Sequence, residues 1–270
     1  MNYKINIKCD LINIKESNLI KIKKKIQKLN NMYMKQNEKV SYYYEDINTG
    51  SIISYNSSIL FYAASTIKIL VCTLLLEKAE NNNIDLNKKI LIAMKDLKQG
   101  SGIIKNQKKD TYYTILELIK LAISESDNTA YIKLVNYVGK DTLEKYGKSL
   151  GAKHTLEGKD LFGLINCDDM IIYWKKIYNF INTSKYGKLF HKYLSNPSFN
   201  IIKKKYIGNN NFVKKYGCYE IAYHETGYVE DSNPFYLIIL TQKFKTFDKE
   251  KFLNKTAQII YDIHKLISAK

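Results

Sequence analysis

Residues 61–71 read FYAASTIKILV and place a serine and a lysine three positions apart at the start of an apolar segment. No charged residue interrupts this segment between Lys68 and Glu77, so it predicts a helix buried inside a domain. Positions three apart share a helical face, which brings the hydroxyl of Ser65 within reach of the Lys68 amine. The pair indicates a nucleophile beside a base. An ordinary core helix with a serine cap is the alternative, although this is the only Ser-x-x-Lys among 43 lysines.

The composition indicates a folded protein with a lysine-rich surface. At 270 residues and 45% hydrophobic content, the chain can bury a sizeable core. Its net charge of +17 comes from 43 lysines without a single arginine. Because bidentate recognition of bases and phosphates relies on arginine, the composition argues against a dedicated nucleic-acid-binding protein. We expect no nucleic-acid partner and a monomer.

The cysteines and the first residues of the chain do not predict a metal site or a membrane segment. The four cysteines show no C-x-x-C spacing, and no cluster of histidine and cysteine is present, which predicts reduced thiols, no metal site and no cofactor. Residues 1–10 lack the apolar region of a signal peptide, and no segment approaches the roughly 18 apolar residues of a membrane span. As written, the chain is expected to be cytoplasmic and off the membrane, with export by another route left open.

The remaining patterns predict β-rich ends around a helical middle. The expected terminal elements are a helix over 15–36, a hairpin over 40–55, a strand over 219–223, a bend over 227–234, a strand over 235–241 and a helix over 249–268. We infer an α+β fold with two lobes. Residues 1–66 and 212–270 form an antiparallel sheet with flanking helices, and residues 67–211 form an inserted helical lobe. The cleft between such lobes is a natural ligand site.

Three short tracts in order carry the chemistry. Ser65-x-x-Lys68 is followed by Ser126-Asp127-Asn128 and later by Glu225-Thr226-Gly227. This order resembles the class A serine β-lactamases and the related penicillin-binding serine peptidases, whose signatures are S-x-x-K, S-D-N and K-T-G. Residues 46–50 are similar to the D-x-x-T-G turn of the same family. The resemblance covers roughly residues 20 to 268.

The resemblance implies roles for the nucleophile and its neighbours. Ser65 attacks a carbonyl carbon and becomes acylated, with Lys68 as the base that takes its proton. Ser126 relays the proton to the leaving nitrogen, and Asp127 holds the loop. Asn128 binds the side-chain amide of the substrate.

The resemblance also implies a substrate-facing strand. Thr226 and Gly227 are expected to lie antiparallel to the substrate, and the backbone N–H groups of Ser65 and Tyr228 to form the oxyanion hole. Glu225, however, stands where the family has a lysine, which predicts a reversed local charge that disfavours an anionic substrate. His224 is expected to face away from the site, as a packed or surface histidine.

The second departure concerns deacylation, for which class A enzymes use a glutamate on a long loop, usually within E-x-E-L-N. The corresponding tract here, residues 151–166, is short, and Glu157 and Asp160 are its only acids. Either is a candidate for the base, with a solvated loop carboxylate as the alternative for both. The neighbouring lysines Lys214 and Lys215 are interpreted as a solvated charge run.

These observations predict a serine hydrolase of the class A β-lactamase type that opens β-lactam amides through an acyl-enzyme on Ser65. A penicillin-binding DD-peptidase or esterase with slow deacylation is the alternative within the fold. A non-catalytic binding protein that keeps the fold is the second alternative. The expected partner is a small-molecule or peptide-like substrate whose carbonyl group can acylate the serine.

Overall fold

A computed structural model describes residues 6–34, 39–158, 160–242 and 248–269. The helices are α1 (Glu16–Met34), α2 (Lys68–Glu80), α3 (Ile115–Ser124), α4 (Asn128–Val138), α5 (Lys140–Ser149), α6 (Cys167–Thr183), α7 (Gly187–Ser195) and α8 (Lys249–Ser268). The strands are β1 (Ile7–Asp10), β2 (Lys39–Asp46), β3 (Ile52–Tyr55), β4 (Phe61–Tyr62), β5 (Lys89–Ile92), β6 (Thr111–Thr114), β7 (Leu164–Ile165), β8 (Asn211–Tyr219), β9 (Ala222–Glu230) and β10 (Phe235–Gln242).

The main sheet is antiparallel and takes strands from both ends of the chain. Its six strands lie in the order β1-β3-β2-β10-β9-β8. Helices α1 and α8 cover one face, and the inserted helices cover the other. Strand β10 shows why, because its continuous apolar run sends Leu237 and Ile239 into one core and Ile238 and Leu240 into the other. The predicted α+β fold is therefore confirmed.

Helix α2 is the central element of the helical lobe. Every residue from Lys68 to Leu76 is buried, because the helix is surrounded by the sheet on one side and by helices α3 to α6 on the others. Each fully buried Leu or Ile side chain contributes about 1.5–3 kcal/mol, so the helix cannot shift without a large penalty. The first turn of α2 is thereby fixed in space.

The end of the sheet differs from the expectation. The predicted strand over 219–223 instead spans a two-residue turn between two longer strands, since β8 ends at Tyr219 and β9 begins at Ala222. The predicted bend over 227–234 is shorter, because Gly227 lies in the middle of β9. The sequence pattern did not predict strand β8, because the strand contains Lys214 and Lys215. Both lysines are buried, although charged residues seldom are.

The terminal helices agree closely with the expectation. Helix α8 has the predicted bounds, and α1 begins at Glu16 and ends at Met34, while residues 35 and 36 lie outside the described residues. None of the helices in the described ranges has the length and apolar character needed to cross a bilayer.

Candidate active site

Ser65 lies in a strained turn at the entrance of α2. A short 3-10 helix, Ala64–Ile67, leads directly into α2, and Ala64 has a φ of +47°. A left-handed conformation costs a non-glycine residue about 1–2 kcal/mol, and such strain concentrates at functional sites. Ser65 is 5% exposed and lines a cavity of about 470 Å³. Within the described part of the chain its hydroxyl makes no hydrogen bond, so it is free to meet a ligand.

Lys68 is buried behind the nucleophile. Its Nζ donates to the Ser126 carbonyl, to Asn128 Oδ1 at 2.8 Å and to Ser126 Oγ at 3.4 Å. Burial lowers the pKa of Lys68 well below its ordinary value, and the positive charge of Lys215 lowers it further. The amine can therefore spend time in the neutral form that a base requires.

The loop between α3 and α4 presents Ser126. The residue has a φ of +53° and is fully buried. Its neighbour Asp127 fixes this geometry, because Oδ1 accepts from the N–H of Ala130 at 2.9 Å and caps α4. The other oxygen accepts from the N–H groups of Ile103 and Ile104 at 2.7 and 2.8 Å. Asp127 thus has the geometry of a structural residue of this loop.

Lys215, on strand β8, completes the buried group. Its Nζ donates to Ser126 Oγ at 3.0 Å, and the side chain is 0% exposed. Burial lowers the pKa of Lys215 to about 7. Ser126 Oγ therefore lies between two buried amines, which is the geometry of a proton relay. The interpretation of Lys214 and Lys215 as a solvated charge run does not match the structure.

Glu225 faces the opposite side of the sheet. Its carboxylate pairs with Lys214 Nζ at 3.0 Å and accepts from the N–H groups of Ile201 at 3.3 Å and Ile202 at 2.5 Å. The strand alternation explains the arrangement, since Glu225 and Lys214 share one face while Lys215 points to the other. The expected reversal of charge beside Ser126 is absent from this arrangement, because the negative charge is paired behind the sheet.

The structure does not bring the rest of the β9 tract to the cavity. Strand β9 is an inner strand between β8 and β10, so its backbone is already paired on both sides. The Thr226 hydroxyl donates to the Lys215 carbonyl at 3.2 Å, Gly227 packs against the backbone of β8, and the Tyr228 ring packs against Trp174 and Tyr178.

His224 is a packed histidine, but it lies on the Lys215 face of the sheet and not on the opposite face as predicted. Its Nε2 lies 2.8 Å from the Tyr62 carbonyl and its Nδ1 accepts from the N–H of Thr241 at 3.0 Å. Burial lowers its pKa to about 4, so the ring is neutral near pH 7.

The strand that meets the nucleophile is β8. A Cβ atom added to Gly217 would lie 2.9 Å from Thr66 Cγ2, so only glycine allows this close approach. The next residues, Cys218 and Tyr219, line the cavity together with Ser65. Since β8 is the edge strand, its outer side is unpaired within the sheet and faces the cleft. The edge strand at the cleft therefore carries a K-x-G tripeptide, Lys215-Tyr216-Gly217.

The short loop over 151–166 supplies an aromatic ring to this region. Phe162 lines the cavity, and its ring centroid lies 5.7 Å from Lys68 Nζ. Glu157 has a side chain 48% exposed, pairs with His154 at 3.0 Å and is not part of the cavity lining. Asp160 lines the cavity, but its Oδ1 accepts from the N–H groups of Phe162 and Gly163 at 2.9 Å each. No hydrogen bond or ion pair joins either acid to Lys68 in the described ranges.

The sequence patterns did not assign Cys218 or Phe162 to the site, and they placed Lys215 in a solvated charge run. A K-x-G tripeptide one strand before the assumed signature was the available signal for Lys215, and it becomes visible once residues 211–219 are recognised as a strand. For Phe162 the signal is the Ile165-Asn166 pair, which resembles the Leu-Asn end of the family's loop motif and places Phe162 near the glutamate position.

The chain is similar to known proteins in both its sequence and its fold. A sequence model described as the β-lactamase enzyme family matches residues 21–264. The fold is similar to that of PBP-A, with a TM-score of 0.83 and 17% identity over 90% of this chain and 96% of that chain. A single-residue variant of PBP-A in an acyl-enzyme complex with penicillin G gives 0.81 and 18% over 92% and 97%. A β-lactamase from Sphaerobacter thermophilus gives 0.76 and 18% over 93% and 97%. At identities this low, the likeness shows the fold alone.

Proposed function

The chain belongs to the β-lactamase enzyme family, and within it we propose a serine acyltransferase of the penicillin-binding type, which is acylated on Ser65 and deacylates slowly. One observation carries this proposal. Lys68, Ser126 and Lys215 are joined by hydrogen bonds close to Ser65, whereas the loop residue beside Lys68 is Phe162 and neither acid of that loop is bonded to Lys68 in the described ranges. Efficient β-lactam hydrolysis is therefore the less favoured of the two readings within this fold.

In the proposed acylation, neutral Lys68 accepts the proton of Ser65 as Oγ attacks the carbonyl carbon. The C–N bond of the substrate then breaks, and Ser126 passes its hydroxyl proton to the leaving nitrogen. Lys215 or Lys68 returns a proton to Ser126 Oγ, which accepts hydrogen bonds from both amines. The lowered pKa values of the two lysines match this task, because burial makes the neutral amine more accessible in Lys68 and sets the pKa of Lys215 to about 7.

We assign the oxyanion hole to the backbone N–H groups of Ser65 and Cys218. Ser65 is placed by the rigid start of α2, and Cys218 follows the glycine that packs against Thr66. Donors fixed in this way stabilise the tetrahedral intermediate without reorganising, which is worth about 10²–10³ in rate per donor. This assignment replaces Tyr228, whose side chain and strand lie away from the cavity.

Intact-mass spectrometry tests the proposal. The protein is incubated with benzylpenicillin, a cephalosporin and a thioester ending in D-alanine, with the Ser65→Ala variant as control. The proposal predicts one covalent adduct per chain that persists for hours and is absent from the variant. Rapid loss of the adduct with turnover would support the β-lactamase alternative, and a folded sample without any adduct would support a non-catalytic binding protein.

A further inference from the structure

One wall of the cavity combines a carboxylate with aromatic rings. Asp160, Tyr62, Phe162 and Tyr219 line the same cavity as Ser65. The ring of Tyr62 is central to the group, with centroid distances of 5.5 Å to Tyr219 and 6.3 Å to Phe162. We name these four residues the aromatic wall. A substrate bound to Ser65 extends into a cavity whose side is built from them.

The charge of Asp160 is uncompensated by any described side chain. Its Oδ1 accepts hydrogen bonds from two backbone N–H groups, and the neutral Tyr62 side chain lies next to it, where the carboxylate helps to raise the Tyr62 pKa. No ion pair joins Asp160 to a lysine among the described residues, although the chain contains 43 lysines. A carboxylate has about four lone-pair sites, so at least one remains available to a ligand.

We infer that the aromatic wall binds an ammonium group carried by the acyl donor. A carboxylate attracts a cation through a charge-assisted hydrogen bond, and the faces of neighbouring aromatic rings attract it through their quadrupoles. The substrate class is therefore an amide or ester whose acyl side chain bears a free amine, such as a peptide with an unblocked amino group. This inference rests on the proposed function, because it concerns the same acylation of Ser65.

Two lysines compete with a cationic ligand. Lys68 Nζ lies 5.7 Å from the Phe162 ring centroid, and Lys98 is exposed and lines the cavity. The aromatic rings favour the Asp160 side of the cavity, because Tyr62 lies next to Asp160 and its ring contacts the rings of Phe162 and Tyr219. If the two lysines determined the charge preference instead, acyl donors with an amine would react more slowly than those without one.

A matched pair of β-lactams tests this inference. Ampicillin differs from benzylpenicillin by one amino group beside the phenyl ring. The acylation rate constant of Ser65 is measured for both by stopped-flow quenching and intact mass. We expect ampicillin to acylate about three- to tenfold faster than benzylpenicillin, since a partly exposed ion pair with cation–π contacts has roughly this effect.

The Asp160→Asn variant should reduce the rate ratio to about one, while Oδ1 of the asparagine keeps the two backbone hydrogen bonds. Asp168→Asn is the charge-matched control, because Asp168 is exposed and lies outside the cavity lining, and its ratio should equal that of the unmodified protein. The ratio should also fall as salt is added. A ratio of one or less in the unmodified protein, or a ratio unchanged in Asp160→Asn, would overturn the inference. Absence of acylation by both compounds would instead overturn the proposed function.

Discussion

The floor and the loop wall of the cavity differ in how far their side chains are joined by hydrogen bonds. The floor consists of Ser65, which lines the cavity, and of three buried residues behind that lining, Lys68, Ser126 and Lys215, which are joined by hydrogen bonds. The loop wall, from residue 151 to 166, presents Phe162 to the floor and leaves Glu157 about half exposed at a distance from it. One side of the cavity carries hydrogen-bonded groups suited to proton transfer, and the other places an aromatic ring beside Lys68.

This difference separates two half-reactions that share one nucleophile. Acylation needs a base for the serine, a relay to the leaving group and an oxyanion hole, all of which belong to the floor and to β8. Deacylation needs a base that activates water, and that base has to come from the loop. A protein with only the first set of groups becomes acylated on its serine and then loses the acyl group slowly. Changing one side at a time should therefore change one half-reaction at a time.

Removing the base should have the largest effect. Lys68→Met keeps the volume of a buried side chain but eliminates the amine, so we expect acylation by a chromogenic cephalosporin to fall by about 10³–10⁴-fold. Single-turnover stopped-flow measurements give the rate constant. Acylation within tenfold of the original rate would show that another group takes the Ser65 proton.

Supplying the missing carboxylate should act on the second half-reaction. Phe162→Glu places an acid beside Lys68, and we expect the acyl-enzyme to hydrolyse about 10²-fold faster while the acylation rate changes little. Phe162→Leu is the control, because it opens similar space without a carboxylate. Equal deacylation in the two variants would mean that access of water, and not a base, limits the reaction.

The adjacent lysines of β8 offer a comparison on the two faces of one strand. Lys214→Met leaves Glu225 buried without its cation and should destabilise the protein by about 3–5 kcal/mol. Lys215→Met removes a buried amine that has no carboxylate partner, and should stabilise the fold by about 1–4 kcal/mol while slowing acylation. Urea unfolding of both variants measures the difference. A loss of stability in both would contradict the account of Lys215.

The pH dependence should show the smallest effect. Burial lowers the pKa values of Lys68 and Lys215, that of Lys215 to about 7, and both amines gain a proton as the pH falls through their pKa values. Acylation should increase with pH, by up to about tenfold per unit in acid, and level off above the lysine pKa values. Rates between pH 5 and 9 test this, with a substrate that carries no titrating group in that range. A rate that falls as the pH rises from 5 to 7 would exclude a neutral lysine as the base.

The sequence predicts the fold and part of the floor. Ser65 and Lys68 are visible because a polar pair at the mouth of an apolar helix is rare, and Ser126 is visible through its tripeptide. Lys215 is hidden because a lysine run reads as a solvated face, and only the pairing of β8 with β9 reveals which lysine points inward. Phe162 is harder to find for a different reason, since its only signal is the Ile165-Asn166 pair that follows it, and the phenylalanine itself is an ordinary loop residue.

The most direct test is the time course of ring opening after the protein is mixed with a molar excess of a chromogenic cephalosporin. Acylation on an organised floor followed by slow release predicts a rapid burst of one equivalent of opened cephalosporin per chain, then a slow steady rate. The burst should vanish in Ser65→Ala. Linear turnover from the first moment, without a burst, would contradict the claim that deacylation limits this protein.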